Sequence, residues 1–404
     1  MRPPVSPPSG LEHAPSADAP GPLHPIASPS GLAACFNANG SLRSLTHTPP
    51  AGAAADPLCI HLFPGNALEA GSTQLVLRAW PGATPHGEPQ VLPLLGPASP
   101  ARWHAAGDRC VARGEWQGLA FELTLLLAQG APAWFWHLAL RHAHGGAPCT
   151  VDLLLQQDIA LAPHGALRLN EYYVSHYLDF TPLEHPQAGR LLAVRQNLPT
   201  GGRHPWALVG SLRHAVAHAT DALQVLGRGH RSGEPPEAWA HGLPGARLQQ
   251  EHAMAALQDA PLTLAPGEHA TLGFFGGLWP DHPEASGPAD LARADTLLAL
   301  PEATPPQALL AEALHATWQA PLHSLFSHAP RWPARPLGDT DCDSLFGPER
   351  RVTVPYAPGF DRRSAHSSGL YYGASAGALE RLGQEKGYAL LGSHSAGNNL
   401  FFVR

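Results

Sequence analysis

A period of two runs through the middle of this chain. In Phe121-Glu122-Leu123-Thr124-Leu125-Leu126-Leu127, positions 121, 123, 125 and 127 are apolar. After Gly130-Ala131-Pro132, a second run puts Trp134, Trp136, Leu138 and Leu140 on one face. Val151 to Leu155 and Leu167 to Tyr177 continue the series. Successive side chains of a strand point to opposite faces, so this pattern with turns between predicts a large antiparallel sheet or sandwich. Asn37-Ala38-Asn39-Gly40-Ser41 is turn chemistry for a first hairpin. Ala265-Pro266-Gly267-Glu268 should close a later one, joining Leu262-Thr263-Leu264 to Thr271–Phe275. Charged residues make up only 14% of the chain, against 44 prolines and 41 glycines, a texture of strands and turns rather than a helical bundle.

The flanks read differently. Residues 1–30, rich in proline and poor in large apolar groups, read as a disordered leader. The sandwich is expected over 31–280 and a helical, proline-rich linker over 281–351. Ala289 to Leu300 has helical spacing, as does Pro306 to Gln319 with its stripe of Leu309, Leu310, Ala313, Leu314 and Trp318. Residues 352–404 read as a small α+β tail, with a helix over 375–386 followed by one or two strands. The expected fold is therefore mainly β: a large antiparallel sandwich, linker helices and the small tail.

Charge and cysteine usage exclude several classes. A formal charge of −7 offers no broad basic surface for nucleic acid or anionic lipid. Cys35, Cys59, Cys110, Cys149 and Cys342 are widely spaced with no CxxC pair, which suits free thiols in a reducing compartment. The N-terminus lacks the apolar core of a signal peptide, and no membrane span is evident, so a cytoplasmic location is expected.

An ordered set of segments resembles the N-terminal part of inverting glycoside phosphorylases, the cellobiose phosphorylase and β-1,2-oligoglucan phosphorylase group with the related end of cyclic β-1,2-glucan synthases. The carrying segments are Gly114-Glu-Trp-Gln-Gly-Leu, Asn170-Glu-Tyr-Tyr-Val-Ser-His-Tyr-Leu-Asp179, Arg195-Gln-Asn and Gly201-Gly-Arg-His-Pro-Trp206. Ala219-Thr-Asp-Ala-Leu-Gln224, Glu251-His-Ala-Met254 and Leu345-Phe-Gly-Pro-Glu-Arg-Arg351 follow. The resemblance implies a sugar-handling β-sandwich ahead of a six-hairpin helical barrel. In that barrel an aspartic acid would protonate the leaving sugar while inorganic phosphate, the co-substrate, attacks the anomeric carbon. The resemblance stops near Arg351, so a carbohydrate-binding or scaffold role is expected, with a β-glucan oligosaccharide as ligand and a barrel chain or domain as partner. An active phosphorylase subunit and a glycoside hydrolase are the alternatives. Val354-Pro-Tyr, Leu370–Ser375, Lys386–Gly392 and Ala396–Arg404 resemble the end of a poorly characterised bacterial family.

The expected sugar contacts are Arg195, Gln196, Asn197, Arg203, His204 and Trp206. An indole face stacks on a pyranose, while amides and guanidinium groups fork to its hydroxyls. Asn170, Glu171, Tyr172, Tyr173 and Tyr177 are expected on a polar–aromatic strand, with 173 and 177 sharing a face. No catalytic residue is assigned. Asp158, Glu171, Asp179 and Glu184 cluster in sequence, but nothing sets two of them at a catalytic separation. No metal is expected either: the pairs His142/His144 and His214/His218 lack an HExxH pattern, although the second could share a helix face. Gly373-Ala374-Ser375-Ala376-Gly377 satisfies GxSxG without the parallel sheet a nucleophile elbow needs.

Overall fold

Backbone polar groups and apolar side chains are both satisfied when paired strands stack on one another, and that is how this chain folds. The computed structural model describes residues 23–50, 57–63, 65, 70–232, 234–248, 252–306, 318–319, 376–393 and 400–403. Four strands come first, hydrogen-bonded in chain order: β1 (His24–Ala27), β2 (Leu32–Phe36), β3 (Leu42–His47) and β4 (Leu58–Cys59).

Fifteen strands form the second sheet. β5 (Gln74–Pro81), β6 (Gln90–Pro93), β7 (Arg102–Ala106), β8 (Arg109–Trp116), β9 (Leu119–Leu127), β10 (Ala133–His142) and β11 (Cys149–Asp158) precede helix α1 (His164–His176). β12 (Leu178–His185), β13 (Gly189–Gln196), β14 (Trp206–Ser211) and β15 (Ala215–Asp221) follow it. Beyond α2 (Ala222–Leu226) and α3 (Glu237–His241) lie β16 (Ala253–Asp259), β17 (Leu262–Leu264), β18 (His269–Trp279), α4 (Leu291–Leu298) and β19 (Trp318–Gln319). The order across the sheet is β19-β7-β8-β9-β10-β18-β14-β13-β15-β16-β11-β5-β6, with β12 on β13 and β17 on β11.

The expected mainly-β, antiparallel sandwich is what forms. The large sheet curls until Leu123, Trp136 and Phe274 share one core with Leu77, Leu155 and Leu257 from its other half. The small sheet closes that core, with Phe36 lying 5.9 Å from Trp103 and 6.4 Å from Trp136, ring centre to ring centre. A second core sits on the outer face, where Phe135, Trp206, Leu208 and Phe275 lie under Ala294 and Leu297 of α4. Burial on both faces explains why β9 carries the unbroken apolar run Leu125-Leu126-Leu127. The Gly114-to-Leu119 motif is the β8–β9 hairpin. Gln117 and Gly118 both take positive φ, as a two-residue primed turn demands.

Several expectations are corrected. Leu167 to Tyr177 is not a strand: residues 167–176 belong to α1. The 262–275 segment is no hairpin, since β17 pairs with β11 whereas β18 inserts between β10 and β14. β1 falls within the stretch read as a disordered leader and pairs with β2. Trp318 lies in β19, paired with β7, instead of ending a helix; residues 307–317 of that expected helix lie outside the described residues. His214 and His218 flank and occupy β15, so they share no helix face.

The chain divides into units at His328 and Ala329. In the second, α5 (Ala376–Glu385) precedes the antiparallel pair β20 (Ala389–Ser393) and β21 (Leu400–Val403). Ser375 of the GxSxG pattern and the proline-rich stretch 329–336 lie outside the described residues. Among the described residues no helix is long and apolar enough to cross a membrane.

Candidate functional site

A cleft of about 560 Å³ opens between the small sheet and α1. Arg43, Ser44 and Thr46 of β3 line it, with Cys59, His61, Leu62, Phe63 and Gly65 from β4 and the residues after it. His164, Leu167 and Arg168, spaced i, i+3 and i+4 on one face of the first part of α1, complete it with Glu171, which follows the helix break. Leu167 and Val174 anchor the helix on Cys59, Leu62, Ala160 and Ala162.

The cleft wall is held by buried polar groups. Asp158, fully buried at the end of β11, accepts hydrogen bonds from the Phe63 backbone N–H and, at 2.9 Å, from Thr73 Oγ1. His61 Nδ1 faces both backbone groups of Leu45, the N–H at 3.0 Å and the carbonyl at 3.3 Å, which fixes the ring on β3. Gln196 donates from Nε2 to the carbonyls of Ala160 (2.9 Å) and Val174 (3.2 Å), joining the strand end to the helix end.

An aromatic surface continues from the cleft. Extended backbone at Asn170 interrupts α1, and Asn170 Oδ1 accepts the Tyr173 N–H at 3.0 Å, acting as the cap from which helix resumes. Beyond that break Tyr172, Tyr173 and Tyr177 are 40%, 49% and 37% exposed. Tyr172 lies 5.6 Å from the Phe63 ring, while Tyr173 and Tyr177 sit 5.0 Å apart. Tyr177 Oη donates to Tyr173 Oη at 3.2 Å, and that bond with the neighbouring phenol holds the Tyr177 hydroxyl above the ordinary tyrosine range. His252 meets Phe63 edge-on at 5.0 Å, with Nε2 buried and unpartnered. Burial pushes this imidazole below the usual histidine range, against the opposing pull of Asp158 and Asp221.

The expected sugar-contact residues take other positions. Trp206 is fully buried as the first residue of β14. One neighbour, the His282 ring, stacks on it at 4.9 Å, Trp279 meets it edge-on, and the Arg293 guanidinium lies 5.4 Å from its centre. Its Nε1–H donates to Ser286 Oγ at 2.8 Å, so no indole face is open to a sugar. Arg195 donates to the carbonyls of His282 (2.8 Å) and Pro283 (2.9 Å), and the His204 N–H donates to Asp281 Oδ1 at 2.8 Å. Arg195, His204 and Trp206 are thus brought together, but as a clamp on the strap 279–290. Gln196 is buried in its supporting role, and Arg203 closes a tight turn with Thr200. Asn197 is exposed, and its N–H donates to the carbonyl of Tyr177, next to the tyrosine surface.

The acidic group disperses. Asp158 is a buried support, Asp179 pairs with Arg247, and Glu184 pairs with Arg190 at 2.9 Å, leaving Glu171 in the cleft. His142 Nδ1 donates to the Ala143 carbonyl and His214 Nδ1 to that of Gln187. Among the described residues no three His, Cys, Asp or Glu side chains converge as a metal site. Reading the sequence missed Arg43, His61, Phe63, His164 and Arg168; helical spacing from 164 to 168 was the one signal available for part of this set.

Residues 35–276 match the family described as the SOGP N-terminal domain. A 1,2-beta-oligoglucan phosphorylase of Listeria innocua serovar 6a is 27% identical over 225 residues, 55% of this chain and 19% of that protein. The match therefore takes up only about a fifth of the relative's length. Among solved structures, a GalM/aldose epimerase homologue from C. elegans superposes with a TM-score of 0.37 at 10% identity, over 65% of this chain and all of that one. A putative kojibiose phosphorylase from the human microbiome gives 0.30 at 9% identity, over 67% of this chain and 31% of that one. At these scores neither likeness bears on chemistry.

Proposed function

Because this chain belongs to the SOGP N-terminal domain family, we propose that it is the carbohydrate-binding and scaffold part of a glycoside phosphorylase-like system, with a β-glucan oligosaccharide as ligand. The supporting observation is the run of exposed tyrosines, Tyr172, Tyr173 and Tyr177, beside a cleft lined by arginine, hydroxyl, imidazole and carboxylate groups. Rings stack on the apolar faces of pyranoses while the polar lining meets their hydroxyls. The relative's name supplies the β-1,2 linkage of the first ligand to try. In this reading phosphorolysis with inorganic phosphate is carried out by a helical barrel, on the same or another chain, and the sandwich presents the glycan to it.

An open surface with wet hydrogen bonds should bind at about millimolar strength, roughly −4 kcal/mol. The test is titration of β-1,2-linked oligoglucans followed by NMR, with Tyr173→Ala and Tyr177→Ala as variants. Binding weakened about tenfold in each supports the reading. No saturable shift at tens of millimolar, or shifts indifferent to both substitutions, would sink it. Trp206→Ala is no binding probe here, since it hollows the outer core.

A further inference from the structure

We propose that the cleft beside α1 accepts a phosphorylated sugar, its phosphate held by Arg43 and Arg168; this rests on the carbohydrate reading and sharpens it. Arg43 and Arg168 line the cleft from different walls, β3 and α1, and both are exposed. Neither has a carboxylate partner among the described residues. The chain has 32 acidic residues against 25 lysines and arginines, so two unpaired guanidinium groups in one concavity run against its overall sign.

The remaining lining fits the rest of such a ligand. A phosphate monoester needs several donors, and guanidinium supplies them in a planar fork, with the Ser44 and Thr46 hydroxyls and the His61 ring also in the lining. Glu171 is an acceptor for sugar hydroxyls, and Leu167 and Phe63 offer apolar contact to a ring. About 560 Å³ suits one or two rings with a phosphate. Longer neutral glycans would lie along the tyrosines outside.

Calorimetric titration of the full chain at low salt compares glucose 1-phosphate, inorganic phosphate and the neutral β-1,2-linked disaccharide of glucose. Glucose 1-phosphate should bind at least tenfold more tightly than the disaccharide, lose at least tenfold in the Arg43→Gln/Arg168→Gln double variant, and weaken with added salt. Disaccharide binding should survive that substitution, and unchanged thermal unfolding of the variant would show its fold intact. Equal affinity for glucose 1-phosphate and disaccharide, or glucose 1-phosphate affinity indifferent to the double substitution, overturns the phosphate assignment while the carbohydrate reading stands. Inorganic phosphate binding as tightly as glucose 1-phosphate overturns the sugar part of the assignment. Failure of all three ligands removes both.

Discussion

Arg78 and Asp152 show how much of this fold can hang on one carboxylate. They are 3% and 1% exposed, with Arg78 Nε donating to Oδ1 at 2.8 Å and Nη2 to Oδ2 at 2.5 Å. Gln258 Nε2 adds a bond to Oδ2 at 3.0 Å, and the guanidinium lies 5.0 Å from the Trp80 ring centre. Asp152→Asn would strand a buried cation, and about 3–5 kcal/mol of stability should go with the pair. Urea unfolding with an unchanged midpoint would refute this. The same scale explains what could be read of the site. That Arg195, His204 and Trp206 act together was legible from their closeness in sequence. The burial of Trp206 was not, because it depends on Trp279 and His282, more than seventy positions on, folding over it. The cleft residues were harder still, since Arg43 and Arg168 line one cleft only when the small sheet and α1 come together.

Among the elements, β18 is closely fitted to its neighbour. Gly276 pairs across the sheet with Trp134, and a Cβ built at Gly276 would come within 2.1 Å of that indole. The strand tolerates the glycine because the neighbouring ring covers it. Gly276→Ala should therefore cost about 1–3 kcal/mol through overpacking, and Trp134→Phe added to it should recover part of the loss. Thermal melts of the single and double variants decide the matter; strict additivity would dismiss the contact. β9 and β10 were legible because each strand's own alternation and the short turn between them carry the information. α1 was not. Its break at Asn170 shortens each helical stretch, and only Leu167, Val174 and Ser175 are buried, so a few residues of helix imitate a strand's alternation. The β17–β18 hairpin was misread for the opposite reason: the local turn signal was sound, but the strands' partners are distant ones.

At the scale of the whole molecule, histidine burial sets a pH dependence. Burial depresses His47, His137, His218 and His252 below the ordinary value of 6.5. The unfolded chain therefore binds more protons near and below that pH, and stability should fall as pH drops through 6.5 towards the folded values. Above about pH 7 these groups contribute no slope. Burial lifts Glu122 and Asp259 and tilts stability the other way, starting from 4.5 and 3.8. The melting temperature should thus be lower at pH 5.5 than at pH 7.5; a flat or reversed profile would contradict the histidine account. The position of β18 has a consequence for synthesis. It lies between β10 and β14 yet ends at Trp279, so a nascent chain shorter than that carries two facing strands with unmet backbone groups. Until β18 arrives, those open edges invite pairing with other chains, and this makes the last long strand the step at which folding competes with aggregation.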